Sequence, residues 1–254
     1  MAISKNKIKY IRSLELKKNR KAEHVFLAEG PKLVGDLLGH FPCRFLAGTA
    51  EWLSSVPAVQ AEEVTEVTEE ELARVSLLKT PQQVLAVFEQ RDEVINPAIL
   101  SHSLCLALDG VQDPGNLGTI VRLADWFGIE HIFCSPDTVD VYNPKAIQAT
   151  MGGIARVRLH YTSLTRLITD LDKGIPVYGT FLDGKDMYTQ PLSANGLIVM
   201  GNEGKGVSAE VSALINRRLY IPNYPAGRDT SESLNVAIAT AIVCAEFRRQ
   251  ASYR

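Results

Sequence analysis

The chain reads as an α/β protein in two parts. From Ser103 onward, short apolar, β-branched runs alternate with segments of helical period. The runs are continuous rather than alternating polar with apolar, which is the pattern of a parallel sheet covered on both faces. Three of them end in loops rich in Gly, Pro or Asn, within 109–118, 201–206 and 222–233. A smaller set of alternating strands and helices precedes them. A polar stretch containing Asn96-Pro97 separates the two sets and reads as a linker. The expected organisation is therefore 1–92, a linker at 93–100, and 101–254.

The elements are expected in this order. The stretch 5–21 carries Lys5, Lys7, Lys9, Arg12, Lys17, Lys18, Arg20 and Lys21 against one acid, Glu15. Ile8, Ile11, Leu14 and Leu16 recur at nearly helical spacing, which predicts one amphipathic helix with a basic outer side. Such a face is either merely solvated or a surface for phosphates. Residues 25–30 read as a strand into a turn and 33–38 as a helix. The alternation continues through 44–47, 51–53 and 69–77, and 84–88 is the last strand of this part. Glu62, Glu63, Glu66, Glu69, Glu70 and Glu71 read as a solvated helix start, because acids complement a helix N-terminus. In the second part strands are expected at 104–108, 131–134, 157–160, 176–180, 197–200 and 218–221. Helices are expected at 118–126, 144–151, 164–171, 209–215 and from Ser233 on. The last helix is almost all small or aliphatic, so it is buried on most sides, in a core or against a partner.

The chain has 254 residues, 46% hydrophobic and 22% charged, which is ordinary globular composition. No apolar run approaches the roughly 20 residues of a membrane span. The basic N-terminus lacks the apolar segment of a secretory signal, so a cytoplasmic location is expected. Cys43, Cys105, Cys134 and Cys244 are widely spaced and form no CxxC pair, so they read as buried thiols, not as a disulfide framework or zinc site. No metal is expected. The net charge of −2 argues against a uniformly basic surface but leaves room for a local basic face.

Three loop motifs lie where open α/β sheets bind ligands, at the carboxyl ends of strands. The first is Asn116-x-Gly118-x-x-x-Arg122-x-Ala124. The second is Gly201-Asn202-Glu203-Gly204-x-Gly206. The third is Ile221-Pro222 followed by Ser233-Leu234-Asn235-Val236. The second is not a GxxxxGK[ST] phosphate loop, so Lys205 is not a phosphate lysine by that rule. The first lacks the GxGxG of a nucleotide-fold methyltransferase. By residue type alone, Asn116 and Asn235 fit helix caps, Arg122 a surface ion pair, and Glu203 a first-turn acid.

Taken together, the motifs resemble those of the SpoU (TrmH-like) branch of the SPOUT methyltransferases, which methylate ribose 2′-hydroxyls in RNA. The resemblance covers 101–249 closely and the front of the chain more loosely. There the pattern is similar to a small L30e-like RNA-binding domain. Handedness and connection rules alone imply a Rossmann-like, unknotted sheet; the resemblance implies a deep trefoil knot. It also implies S-adenosyl-L-methionine as cofactor, held by Thr180, Met200, Gly201, Ile221 and Leu234 with Asn202 and Ser233 nearby. Arg122 would orient or deprotonate the 2′-hydroxyl, with Asn116, Glu203 and Asn235 holding Arg122 and the ribose. Lys5, Lys9, Arg12, Lys17, Lys18, Arg20 and Lys21 would contact RNA, either ribosomal or transfer. A homodimer is implied, pairing through the last helix. A SPOUT base methyltransferase and a non-catalytic RNA-binding protein of the same fold are the alternatives. One departure stands out: the loop between Pro222 and Ser233 is longer than is typical of the family, and its Arg228 and Asp229 would border the cofactor.

Overall fold

The computed structural model describes residues 3–56, 59–225, 228, 231 and 233–252. The chain forms two compact units, Met1–Asp92 with Asp140–Ala155, and Glu93–Val139 with Arg156–Arg254.

In the first unit the basic stretch is two helices rather than one, α1 (Lys5–Ser13) and α2 (Lys17–Glu23). The break follows from burial. Ile11 and Leu14 are fully buried, whereas Leu16 is 52% exposed, so the apolar stripe does not continue. The carbonyls around the end of α1 need donors. Arg20 supplies them, donating to Leu14 O at 2.8 Å and Glu15 O at 2.7 Å, while Asn19 donates to Ser13 O at 2.8 Å. Arg20 also pairs with Asp140 at 2.6 Å and is only 1% exposed. It therefore leaves the basic face expected for RNA.

The unit continues with β1 (Val25–Glu29), α3 (Pro31–Leu37), β2 (Cys43–Gly48), α4 (Ala50–Ser55), β3 (Val64–Glu66), α5 (Glu69–Val75) and β4 (Val84–Glu89). The sheet order is β1-β4-β2-β3, antiparallel except between β2 and β3. The acidic stretch is not a single helix start. Glu66 ends the edge strand β3, and Glu69–Glu71 fill the first turn of α5 behind a Thr68–Glu71 capping box. Ile11, Leu14, Val25, Leu27, Phe45, Leu72, Leu85 and Val87 share one core. The segment Asp140–Ala155, which sequence order places with 101–254, packs here. The Tyr142 ring lies tilted against that of Phe26, 4.9 Å between centroids, and Arg91 donates to Ile154 O and Ala155 O.

The second unit comprises β5 (Leu104–Asp109), α6 (Pro114–Trp126), β6 (His131–Cys134), then, beyond the helix α7 (Pro144–Thr150) of the first unit, β7 (Arg158–Tyr161), α8 (Leu164–Thr169), β8 (Val177–Asp186), β9 (Gly196–Gly201), α9 (Ala209–Ser212), β10 (Arg217–Tyr220) and α10 (Val236–Ser252). Its sheet is parallel throughout, in the order β10-β8-β9-β5-β6-β7. From β5 the chain first builds outward through β6 and β7, then returns on the other side with β9, β8 and β10. The ends of β5 and β9 thus flank a topological switch point, where such sheets open a crevice. Phe133, Leu164, Leu167, Val177, Leu197, Val199 and Val211 form the core on one face. All four cysteines are free and buried. Burial pushes Cys43, Cys105 and Cys244 up to about 12, so they stay protonated thiols.

Candidate active site

Backbone geometry builds the floor of the crevice. The buried Asp109 carboxylate, at the end of β5, accepts from Ser208 N at 2.7 Å and ties down the residue just before α9. Asn202, just past β9, donates to Gly110 O at 2.7 Å and accepts from the N–H groups of Gly204 and Lys205 at 2.9 and 3.0 Å. Its main chain exchanges two 2.9 Å bonds with Gly206. The loop therefore closes on itself, and α9 begins only at Ala209 and ends at Ser212, short of the expected 209–215. Gly201 is required by this closure. A Cβ there would sit 2.3 Å from Gly206 C and Val207 N, so the bare Cα makes room for the loop's own backbone.

Above this floor three motif residues join in a directional chain. Glu203 Oε1 accepts from Asn116 Nδ2 at 3.0 Å, and Asn116 Oδ1 accepts from Asn235 Nδ2 at 3.0 Å. Asn235 Oδ1 then accepts from Ala237 N and Ile238 N at 2.9 and 3.3 Å, capping α10. A carboxylate can only accept. It therefore turns the Asn116 amide N–H₂ toward itself, which leaves that residue's oxygen for Asn235, whose own oxygen then faces the helix. One residue from each motif is held in a single arrangement. Asn235 is thus cap and motif residue at once, whereas Asn116 is no cap: Asp113 caps α6, accepting from Asn116 N at 2.8 Å, with Pro114 at the first turn. The start of α10 is Val236, capped by Asn235, not the expected Ser233.

Arg122 stands apart from that chain. Six residues along α6 from Asn116 rotate it by about 240°, onto another side of the helix. It is exposed and makes no hydrogen bond or ion pair among the described residues. One turn on, Trp126 is 84% exposed; Leu234, just before α10, and Ile238, in its first turn, are 48% and 53% exposed. Helices α6 and α10 pack on each other, and Arg248 of α10 donates to Phe127 O and Gly128 O at 2.6 and 2.8 Å, satisfying the end of α6.

The residues expected around a cofactor divide by burial. Thr180 within β8, Gly201 at the end of β9 and Ile221 just past β10 are half-buried, and Ser233 and Leu234 of the third motif are exposed. Met200 is 1% exposed. Its side chain fills the sheet, and only its backbone can face a ligand. The Asn202 amide is already engaged, its nitrogen on Gly110 O and its oxygen within its own loop. Of the long loop, Asn223 donates to Arg228 O at 3.1 Å and accepts from the Tyr220 hydroxyl at 3.0 Å. Asp229 lies outside the described residues. Sequence reasoning missed Asp113, though an Asp-Pro pair before an apolar helix is a start signal. It also missed Asp109 and Arg218, for which no local signal exists.

In the first unit Lys5, Lys9, Arg12, Lys17, Lys18 and Lys21 are exposed. Arg12 donates to Arg74 O and Ser76 O at 3.2 and 3.1 Å, so part of its guanidinium is committed to the fold. Lys7 pairs with Glu63 at 2.6 Å.

Residues 103–245 match the model of the SpoU rRNA methylase family. The chain belongs to the SpoU family. Residues 5–86 match an MRM3-like substrate-binding domain. Over nearly its whole length the chain is similar to the Bacillus subtilis 23S rRNA guanosine-2553 2′-O-methyltransferase RlmP, at 32% identity covering 95% of this chain and 96% of that one. It is similar to the solved structure of a TrmH-family protein from Porphyromonas gingivalis, with TM-score 0.88, 46% identity and 98% and 100% coverage. It is also similar to an AdoMet-bound rRNA methyltransferase from Sinorhizobium meliloti, with TM-score 0.83, 31% identity and 98% and 96% coverage. The chain built from Glu203, Asn116 and Asn235 thus lies within the matched SpoU segment, as does Arg122. Among the described residues, no helix is long and apolar enough to cross a membrane, and no group of three or more His, Cys, Asp and Glu is arranged for a metal.

Proposed function

We propose that this SpoU protein transfers a methyl group from S-adenosyl-L-methionine to a ribose 2′-hydroxyl of ribosomal RNA, as a cytoplasmic homodimer. The observation that carries this reading is the Glu203–Asn116–Asn235 chain, which holds the three motif loops in one arrangement at the switch point. The surroundings suit the cofactor: half-buried Thr180, Gly201 and Ile221 and the uncovered Leu234 offer backbone polar groups and apolar surface for a flat base. Bound there, S-adenosylmethionine would supply an electrophilic sulfonium methyl. What remains for the protein is orientation, which supplies most of the acceleration in such transfers.

Arg122 is the candidate for handling the hydroxyl. A guanidinium stays protonated, so it acts by drawing a phosphate and the ribose hydroxyl together and stabilising the negative charge on that oxygen as its proton passes to solvent water. Asn116 works through its own chain, since its bonds run to Glu203 and Asn235 of that chain. Arg122 lies on another side of α6, one turn from exposed Trp126, and α6 packs on α10, where Ile238 is also exposed. Such a patch suits a two-fold interface, which presents the same surface twice. In this reading Arg122 completes the site of the partner subunit. The first unit supplies substrate contacts through Lys5, Lys9, Lys17, Lys18 and Lys21, and the trefoil knot of the family belongs to the same reading.

Calorimetry with S-adenosylmethionine, followed by mapping of 2′-O-methyl sites in ribosomal RNA from a deletion strain, tests it. The expected result is cofactor binding and one missing ribose methylation. A lost base methylation, or no binding by folded protein, would overturn it.

A further inference from the structure

Strand β8 leaves its register with β10 midway. Gly179 pairs with Arg218, yet Lys185 pairs with Leu219, so neighbouring residues of β10 face residues six apart in β8. Thr180–Gly184 are extruded as a loop. They leave the sheet beside the end of β9, because the last paired residue before them, Gly179, is opposite Val199, and Met200 and Gly201 end that strand.

The shape of this loop is held from one side chain. Phe181 folds back onto Gly179: a Cβ on that glycine would meet the ring at 2.8 Å and Ile215 at 2.6 Å. The Arg218 guanidinium covers the ring, 3.5 Å from its centroid. The same group donates to Asp183 Oδ1 at 2.7 Å and to Ser212 Oγ on α9 at 3.1 Å. Gripping residues 181 and 183 turns the residue between them outward, and Leu182 is 76% exposed. At the loop's far end Gly184 passes so close to β10 that a Cβ would lie within 2.3 Å of Leu219 O. A planar, multiply donating guanidinium can stack and bond in three directions at once, which an ammonium cannot. Asp183 is 74% exposed, and surface ion pairs of this kind add little to global stability. The clamp's effect is therefore local.

We propose that Arg218 is a positioning residue for the cofactor. Its hold on Phe181 and Asp183 sets the course of Thr180–Gly184, and so the wall that Thr180 presents to S-adenosylmethionine. This rests on the cofactor reading above. The full-length protein and its Arg218→Ala, Arg218→Lys and Asp183→Asn variants are titrated calorimetrically with S-adenosylmethionine, with melting curves alongside. Arg218→Ala is expected to melt close to wild type yet bind roughly tenfold more weakly, the loss of a cation–π contact together with charge-assisted bonds. Arg218→Lys keeps the charge but not the stacking, and recovers less than half of that loss. In turnover the variants raise KM for S-adenosylmethionine and leave kcat at saturation unchanged. If Arg218→Ala does not fold, Asp183→Asn decides, its carboxylate being solvent-facing: a loss of about threefold supports the clamp, and unchanged affinity overturns it. Wild-type affinity in folded Arg218→Ala, or full recovery by Lys, also overturns it. Wild-type protein that binds no S-adenosylmethionine overturns the functional reading itself.

Discussion

His160 lies on β7 with its ring stacked 5.1 Å from Phe133 and 5.2 Å from His131. The two histidines share one hydrogen bond, His131 Nδ1 to His160 Nε2, at 2.9 Å. That bond needs one N–H and one lone pair, so both rings can be neutral but not both charged without losing it. Burial holds both pKa values below the ordinary 6.5. For His160 the neighbouring His131 pushes the same way, and Arg158 does so for both, while Glu93 opposes for both and Glu130 for His131. The folded pair thus stays neutral at a pH where unfolded histidines take protons. The stabilisation is fully present above about pH 6.5 and is lost as pH falls below it toward the folded values. Melting temperature is expected to drop by several degrees between about pH 8 and pH 5.5, and His160→Phe should shrink the difference. An equal drop in the variant would assign acid sensitivity elsewhere.

At the scale of elements, α2 separates two roles that look alike in sequence. Lys17, Lys18 and Lys21 are exposed, while Arg20 between them is buried on Asp140 and the end of α1. Replacing the three lysines by Gln should weaken RNA binding and flatten its salt dependence by about one phosphate contact per effective charge, leaving the melting temperature alone. Arg20→Gln should do the reverse. Breaking a buried pair by removing one partner costs about 3–5 kcal/mol, so the melting temperature falls while the salt slope persists. Salt-dependent binding isotherms and thermal melts on the two variants separate these outcomes; a flattened slope in Arg20→Gln would refute the division. Similar logic applies in the second unit, where the extruded loop of β8 and the self-closed loop after β9 are shaped by partners far away in sequence.

At the scale of the molecule, the question is which residues act within one chain. Asn116 is bonded to Glu203 and Asn235 of its own chain, whereas Arg122 points away from them. Arg122→Ala and Gly201→Val homodimers should each lose methyl transfer by roughly two to four orders of magnitude. In mixed dimers one site would combine a wild-type Arg122 with a wild-type cofactor loop, so activity should return to near half the wild-type level per dimer. Copurified, differently tagged variants that show no recovery would place Arg122 within its own chain. Gly201→Val acts here by disrupting the loop closed by Gly206 and Val207, not by filling a pocket.

Local pattern settled much of this protein. Continuous β-branched runs between amphipathic segments were enough for the α/β class, and the three strand-end motifs were enough for the family, because periodicity and turn chemistry are written in neighbouring residues. Element ends were less legible. The break between α1 and α2, the early start of α6 at Pro114 and the short α9 depend on which carbonyls and N–H groups find partners, and those partners are side chains such as Arg20 and Asp109 whose contacts no local window contains. The fate of single charges was not legible at all. Arg20 and Lys21 are adjacent and both cationic, yet one is sealed on Asp140 and the other faces water. Likewise Asn116 and Arg122 share a motif, but only folding shows that one faces Glu203 and Asn235 and the other does not. Sequence determined which residue types were available at the strand ends. The tertiary structure decided which of them meet, because burial, register and hydrogen-bond direction are properties of segments brought together from a hundred residues apart.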